Sequence, residues 1–224
     1  GWGTAFADLD LDGDEDLFVS NGHVIRYPVN APIRQAPLLF ENQNGQRLIN
    51  VAEGVGPYFR EAHEGRGSAA GDIDGDGDVD LAISRMNQPV ALLMNTTKTS
   101  NHWLSLKLIG RESPRLPIGA VVKVTTGTKT QVRQVKGGTS FASTVDPRLC
   151  FGLGKSESIS DPKDPTEHTK TAKNALPKTS SSSSSEVDLG PRGEEQSSAP
   201  GIAPISPKYT AGQWVSKQNY KPEL

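Results

Sequence analysis

The stretch "GDIDGDGDVDL", Gly71 to Leu81, decides how this chain is read. Asp72, Asp74, Asp76, Asp78 and Asp80 take alternate positions, with no Lys or Arg among them. Like charges at this spacing repel, and a compact fold crowds them further. Such a loop needs a positive partner.

A second copy lies upstream. "GWGTAFADLDLDGDEDLFVSNG" from Gly1 aligns with "GRGSAAGDIDGDGDVDLAISRMN" from Gly65 without a gap through the acidic core. Asp8, Asp10, Asp12, Asp14 and Asp16 match Asp72, Asp74, Asp76, Asp78 and Asp80 at a constant offset of 64 residues. Repetition of this kind marks an architecture in which each copy is one supersecondary unit. An apolar strand follows each core, Leu17 to Ser20 and Leu81 to Ser84. A second strand then runs to an Asn: "PLLFEN" to Asn42 and "VALLMN" to Asn95. The first copy carries about ten extra residues, "VIRYPVNAPI", read as a loop insertion. Asn44-Gly45 signals a hairpin turn. Each unit therefore reads as a small antiparallel sheet with an acidic loop between two strands.

The loops share the pattern D-x-D-x-D-G-x-x-D. Carboxylates at alternate positions of a tight loop can converge on one centre. Gly13 and Gly77 permit the sharp turn. Asp14 and Asp78 stand where a backbone carbonyl is offered, and Asp16 and Asp80 close the cage. Dense oxygen ligands suit Ca²⁺, which accepts six to eight of them at about 2.3–2.6 Å, better than Mg²⁺, which keeps its waters. No Cys or His cluster offers a zinc site. The EF-hand reading fails at its twelfth position, which needs a bidentate Glu but falls on Val19 and Ile83. These are loops between strands, not between helices.

The rest of the chain divides by composition. Residues 1–98 hold the repeats. Residues 99–154 alternate apolar and polar side chains around a Thr126-Gly127 turn and read as strands. Residues 155–224 carry six consecutive serines, Ser180 to Ser185, with many prolines and few large apolar groups. That segment buries too little surface to offset its chain entropy and is expected to be disordered, although "YTAGQWVSKQNYKPEL" offers aromatics that could dock. A net charge of −2 gives no nucleic-acid footprint, and no apolar run reaches the roughly 18 residues of a membrane span. The single Cys excludes an intramolecular disulfide. The chain starts at Gly1 rather than Met and reads as a fragment.

Other residues read blandly. Cys150 fits a small buried residue better than a nucleophile. His23, His63, His102 and His168 form no catalytic arrangement. Tyr58, Phe59 and Arg60 could tip a ligand-contacting loop, but fit an ordinary connection better. Asn95-Thr96-Thr97 is a glycosylation sequon, although Asn95 already fits the repeat as a structural residue.

The acidic repeats resemble the FG-GAP/VCBS repeats of integrin-α-type β-propellers. "NGHV", "LLFEN" and the second repeat, followed by "NHWLSLKLIG", "IGAVVKVTTG" and "TQVRQVKGGTSFASTVDPRLCFGLG", are similar to the cartilage acidic protein-like family, in which a propeller precedes an ASPIC/UnbV domain. The resemblance covers residues 1 to about 155. It implies an all-β chain: partial propeller blades over 1–98, an ASPIC/UnbV domain over 99–154, and the tail. It implies structural Ca²⁺ on Asp8, Asp10, Asp12 and Asp16, and on Asp72, Asp74, Asp76 and Asp80. It further implies a non-enzymatic adhesion or binding module outside the cytoplasm, extracellular, periplasmic or at the cell surface, with a protein or glycan partner. An accessory or enzymatic role of the UnbV type is the alternative. Two features depart from the family pattern: Cys150 stands where a His is usual, and the Ser-rich tail follows "FGLG" where a closing strand belongs.

Overall fold

The computed structural model describes residues 1–25, 27–110, 114–159, 185–189 and 215–216. These residues are strands and turns, apart from a 3-10 turn at Ala52–Gly54 and a one-turn helix α1 at Pro57–Arg60. The chain is all-β, as its alternating, turn-punctuated sequence requires.

Two antiparallel sheets carry the repeats. The first is a meander of β1 (Gly3–Ala7), β2 (Asp16–Ser20), β3 (Leu38–Gln43) and β4 (Arg47–Asn50). The second contains β5 (Gly65–Gly71), β6 (Asp80–Arg85) and β7 (Ala91–Met94) in the same order. The last paired positions before each acidic loop are equivalent, Ala7 with Asp16 and Gly71 with Asp80. The β3–β4 turn has Asn44 and Gly45 both at positive φ, 55° and 70°, as a tight hairpin of right-handed twist demands. The two sheets meet at glycine: a side chain on Gly3 would collide with the backbone of Arg66 to Ser68 in β5.

One core joins both sheets. Phe18, Leu39, Leu81, Ile83 and Leu93 meet there with Tyr58 and Phe59 from α1. Tyr58 and Phe59 thus serve packing, not a ligand-contacting tip. Their rings meet edge-on at 5.8 Å, and Phe59 meets Phe18 the same way at 6.1 Å. His63 stacks on Tyr58 at 4.1 Å, and burial pushes its imidazole below the usual histidine range.

The later unit has its own core. β8 (His102–Gly110) pairs with β11 (Leu149–Gly154), and β9 (Val121–Thr126) pairs with β10 (Lys129–Gln134) across Gly127. Leu104, Leu106, Val122, Val124, Phe151 and Leu153 fill the space between them. Ile159 packs there as well.

Two short segments of the tail pair as strands. β12 (Ser185–Leu189) runs parallel to β8 on the edge that β11 leaves open. β13 (Val215–Ser216) adds antiparallel to β7. Open edges offer unpaired N–H and C=O groups, which backbone from any sequence can satisfy. The open edge of β8 is thus covered by a strand that begins at Ser185, well after "FGLG". The expectation of disorder for most of 155–224 lies outside the described residues.

Candidate metal centre

Each acidic loop is closed by its last aspartate. Asp16 accepts backbone hydrogen bonds from Leu9 (3.0 Å) and Asn42 (2.8 Å). Asn42 in turn donates its side-chain amide to the Glu15 carbonyl. Gly13 and Gly77 take the same left-handed φ, 96° and 97°, as the turn after the third aspartate needs. The preceding turn differs in residue but not in angle: Leu11 has φ 61° where Gly75 has φ 80°. Leu11 accepts the steric cost, about 1 kcal/mol, while burying its side chain to 1% exposure.

Three aspartates of each loop converge. One carboxylate oxygen from each of Asp8, Asp10 and Asp12 lies within 4.8 Å of the other two. Asp72, Asp74 and Asp80 do the same in the second loop. The first trio leaves out Asp16 and the second leaves out Asp76. Asp14 and Asp78 stand outside both. Asp8, Asp14 and Asp78 each have one buried carboxylate oxygen with no partner among the described residues. An oxygen in that state is costly unless a cation meets it.

The electrostatics point the same way. Burial raises Asp8 well above the usual carboxylate range, and Asp10, Asp12 and Asp16 add to it. Burial pushes Asp12 up to about 6 and Asp16 up to about 7. In the second loop burial pushes Asp78 up to about 7 and Asp80 to about 6, and raises Asp76. Burial of these carboxylates disfavours their charged form, and positive charge in the loop would offset that cost. The donors are all oxygen, so a hard divalent cation fits.

The later unit supplies part of that charge. Lys129 Nζ lies 3.0 Å from Asp14 Oδ1 and donates to the Asp12 carbonyl. Arg133 pairs with Glu15 at 3.2 Å and lies over the Phe151 ring. Arg148 donates to the Asp72 carbonyl at 2.7 Å while bound to Asp146. The sequence offered no signal for these partners, which lie 76 to 118 residues from the loops. Gly77 packs directly on the Trp103 ring, where a side chain would collide.

Two other sites resolve into structure. Asn95 is 2% exposed and donates its amide to the Leu9 and Val79 carbonyls, so its sequon is sealed in the fold. A cavity of about 400 Å³ opens between β1, β10 and the Val145–Cys150 segment. Burial pushes the Cys150 thiol there up to about 11, which makes it a poor nucleophile at neutral pH.

Comparison with known proteins gives matches of two kinds. Residues 110–161 match the ASPIC and UnbV family. The chain is also 30% identical to cartilage acidic protein 1 of Homo sapiens over 166 residues, 69% of this chain and 23% of that protein. This is a cartilage acidic protein 1-like chain with an ASPIC/UnbV segment. The Mus musculus protein gives 31% over 166 residues and the Xenopus tropicalis protein 27% over 174. The chain spans about a quarter of the length of these curated relatives. Among the described residues no helix is long and apolar enough to cross a membrane.

Proposed function

We propose that this chain is a non-enzymatic, extracellular-type binding module whose two acidic loops each hold a structural Ca²⁺. The two repeat sheets then act as neighbouring blades of a β-propeller, and the ion in each loop pins the two strands it joins. The observation that carries this reading is the pair of loops in one register, each with three converging carboxylates, together with the buried, unpartnered Asp8 Oδ1 in the first loop and Asp78 Oδ1 beside the second trio. Asp8, Asp10 and Asp12 would hold one ion, and Asp72, Asp74 and Asp80 the other, with Asp16 and Asp76 within the same loops to complete them. Similarity to cartilage acidic protein 1 supports the extracellular setting, and rigid sheets bearing variable loops suit a protein or glycan partner.

A calorimetric titration of the full chain with Ca²⁺, with melting curves in chelator and in excess ion, tests this. Two sites and a raised melting temperature are expected, with much less protection from Mg²⁺ at the same concentration. Absence of binding, or equal protection by the two ions, overturns the assignment.

A further inference from the structure

The two loops share a sequence pattern but not an environment. Four consecutive carbonyls of the first loop accept hydrogen bonds from residues beyond β7. Leu9 receives the Asn95 amide (2.8 Å), Asp10 the Asn101 amide (2.9 Å), Leu11 the Gly154 N–H (3.0 Å) and Asp12 the Lys129 ammonium (3.1 Å). Asp8 Oδ2 receives the Gly152 N–H at 3.0 Å, and Gln131 holds the Gly152 carbonyl. Asp8, Leu9, Asp10, Leu11 and Gly13 are buried beneath this cover. In the second loop the arc Ile73 to Asp76 is exposed, with Ile73 at 50% against 6% for its counterpart Leu9. Asp8 Oδ1 is buried under the cover and unpartnered among the described residues.

We infer that the first acidic loop is an occluded ion site, closed by the segment from Asn95 to Gly154, and that the second loop is an open one. The inference rests on the Ca²⁺ reading above. An ion in the second loop exchanges directly with solvent. An ion in the first leaves only when the later unit lifts. Ion occupancy of that loop and the seating of the ASPIC/UnbV segment are therefore one coupled equilibrium, and by reciprocity each stabilises the other.

Release kinetics test this on the full chain. The Ca²⁺-loaded protein is mixed with excess fluorescent chelator, and Asp74→Ala/Asp76→Ala and Asn101→Ala/Lys129→Met are compared with it. Two phases of equal amplitude are expected. The fast phase disappears in the Asp74/Asp76 variant. The slow phase accelerates about tenfold in the Asn101/Lys129 variant, which loses two clasps on the loop but no proposed ligand. A single release rate for both ions, or a slow phase unmoved by Asn101→Ala/Lys129→Met, overturns the occlusion and leaves the Ca²⁺ assignment standing. Absence of bound ion overturns both. Amide exchange on the unaltered chain gives a check free of folding defects. The Gly152 and Gly154 amides should exchange faster in chelator than in Ca²⁺, and equal exchange overturns the coupling.

Discussion

Asp16 and Asp80 close their loops through the same pair of hydrogen bonds. Each accepts the N–H seven residues upstream, Leu9 or Ile73, and the N–H of the Asn at the end of the next strand, Asn42 or Asn95. Each Asn returns its side-chain amide to the carbonyl preceding the aspartate, Glu15 or Val79. One carboxylate at the start of the middle strand thus ties the acidic loop to the end of the next strand in both repeats, before any ion is considered.

Asp80→Ala should therefore destabilise the chain even in chelator. It leaves the buried Asn95 N–H and the partly buried Ile73 N–H without acceptors, at a cost of about 1–3 kcal/mol. Asp74→Ala, at an exposed position of the same loop, should cost little in chelator and lose only the ion-dependent part. Urea unfolding with and without Ca²⁺ separates the two, and equal losses in chelator would remove the clasp from the account.

Gly77→Ala should lose more than about 2 kcal/mol, because φ 97° disfavours a side chain and the added methyl meets the Trp103 ring. Gly45→Ala, at positive φ but with open space around it, should cost only the backbone part, about 1 kcal/mol. Denaturant midpoints for the two variants decide whether the Trp103 contact matters.

The ion-free chain should grow less stable as pH rises from about 5 to about 8. Asp12 and Asp80 titrate near 6, and Asp16 and Asp78 near 7, when folded, against about 3.8 when unfolded. The folded state then holds more protons across that window, so its advantage is present at low pH and lost as pH passes the raised values. Melting temperatures in chelator should fall along the series, and saturating Ca²⁺ should flatten the fall. A rise with pH in chelator would contradict the burial of these carboxylates.

Cys150 should resist alkylation in the folded chain. With its thiol pushed up to about 11, the thiolate fraction at pH 8 is about a hundredfold or more below that of a free cysteine. Iodoacetamide labelling followed by mass gives the rate. A native rate equal to the rate in urea would show the site to be open.

The repeat, the two loops and the hairpin at Asn44-Gly45 were legible because each is local. Spacing of Asp, Gly and apolar residues within about ten positions carries the reading. The cover over the first loop was not legible. Asn101, Lys129, Gly152 and Gly154 reach it from more than 85 residues away, and no pattern in a single sequence encodes such a meeting. The sequon at Asn95 points outward in sequence and inward in structure, because the same amide serves Leu9 and Val79. The strand at Ser185 begins on the last residue of a serine run whose composition signals no pairing, since an open edge selects backbone rather than side chains.

Leu11 and Gly75 hold the same backbone turn with opposite residues. Leu11 is buried, and a neighbouring unit covers its backbone, with Gly152 against it and the Gly154 N–H on its carbonyl, so the turn's requirement for glycine is lifted by its surroundings. A search template written from the second loop, demanding glycine at that position, would pass over the first. Where such a loop is roofed by another part of the chain, the missing glycine is itself a sign of the roof.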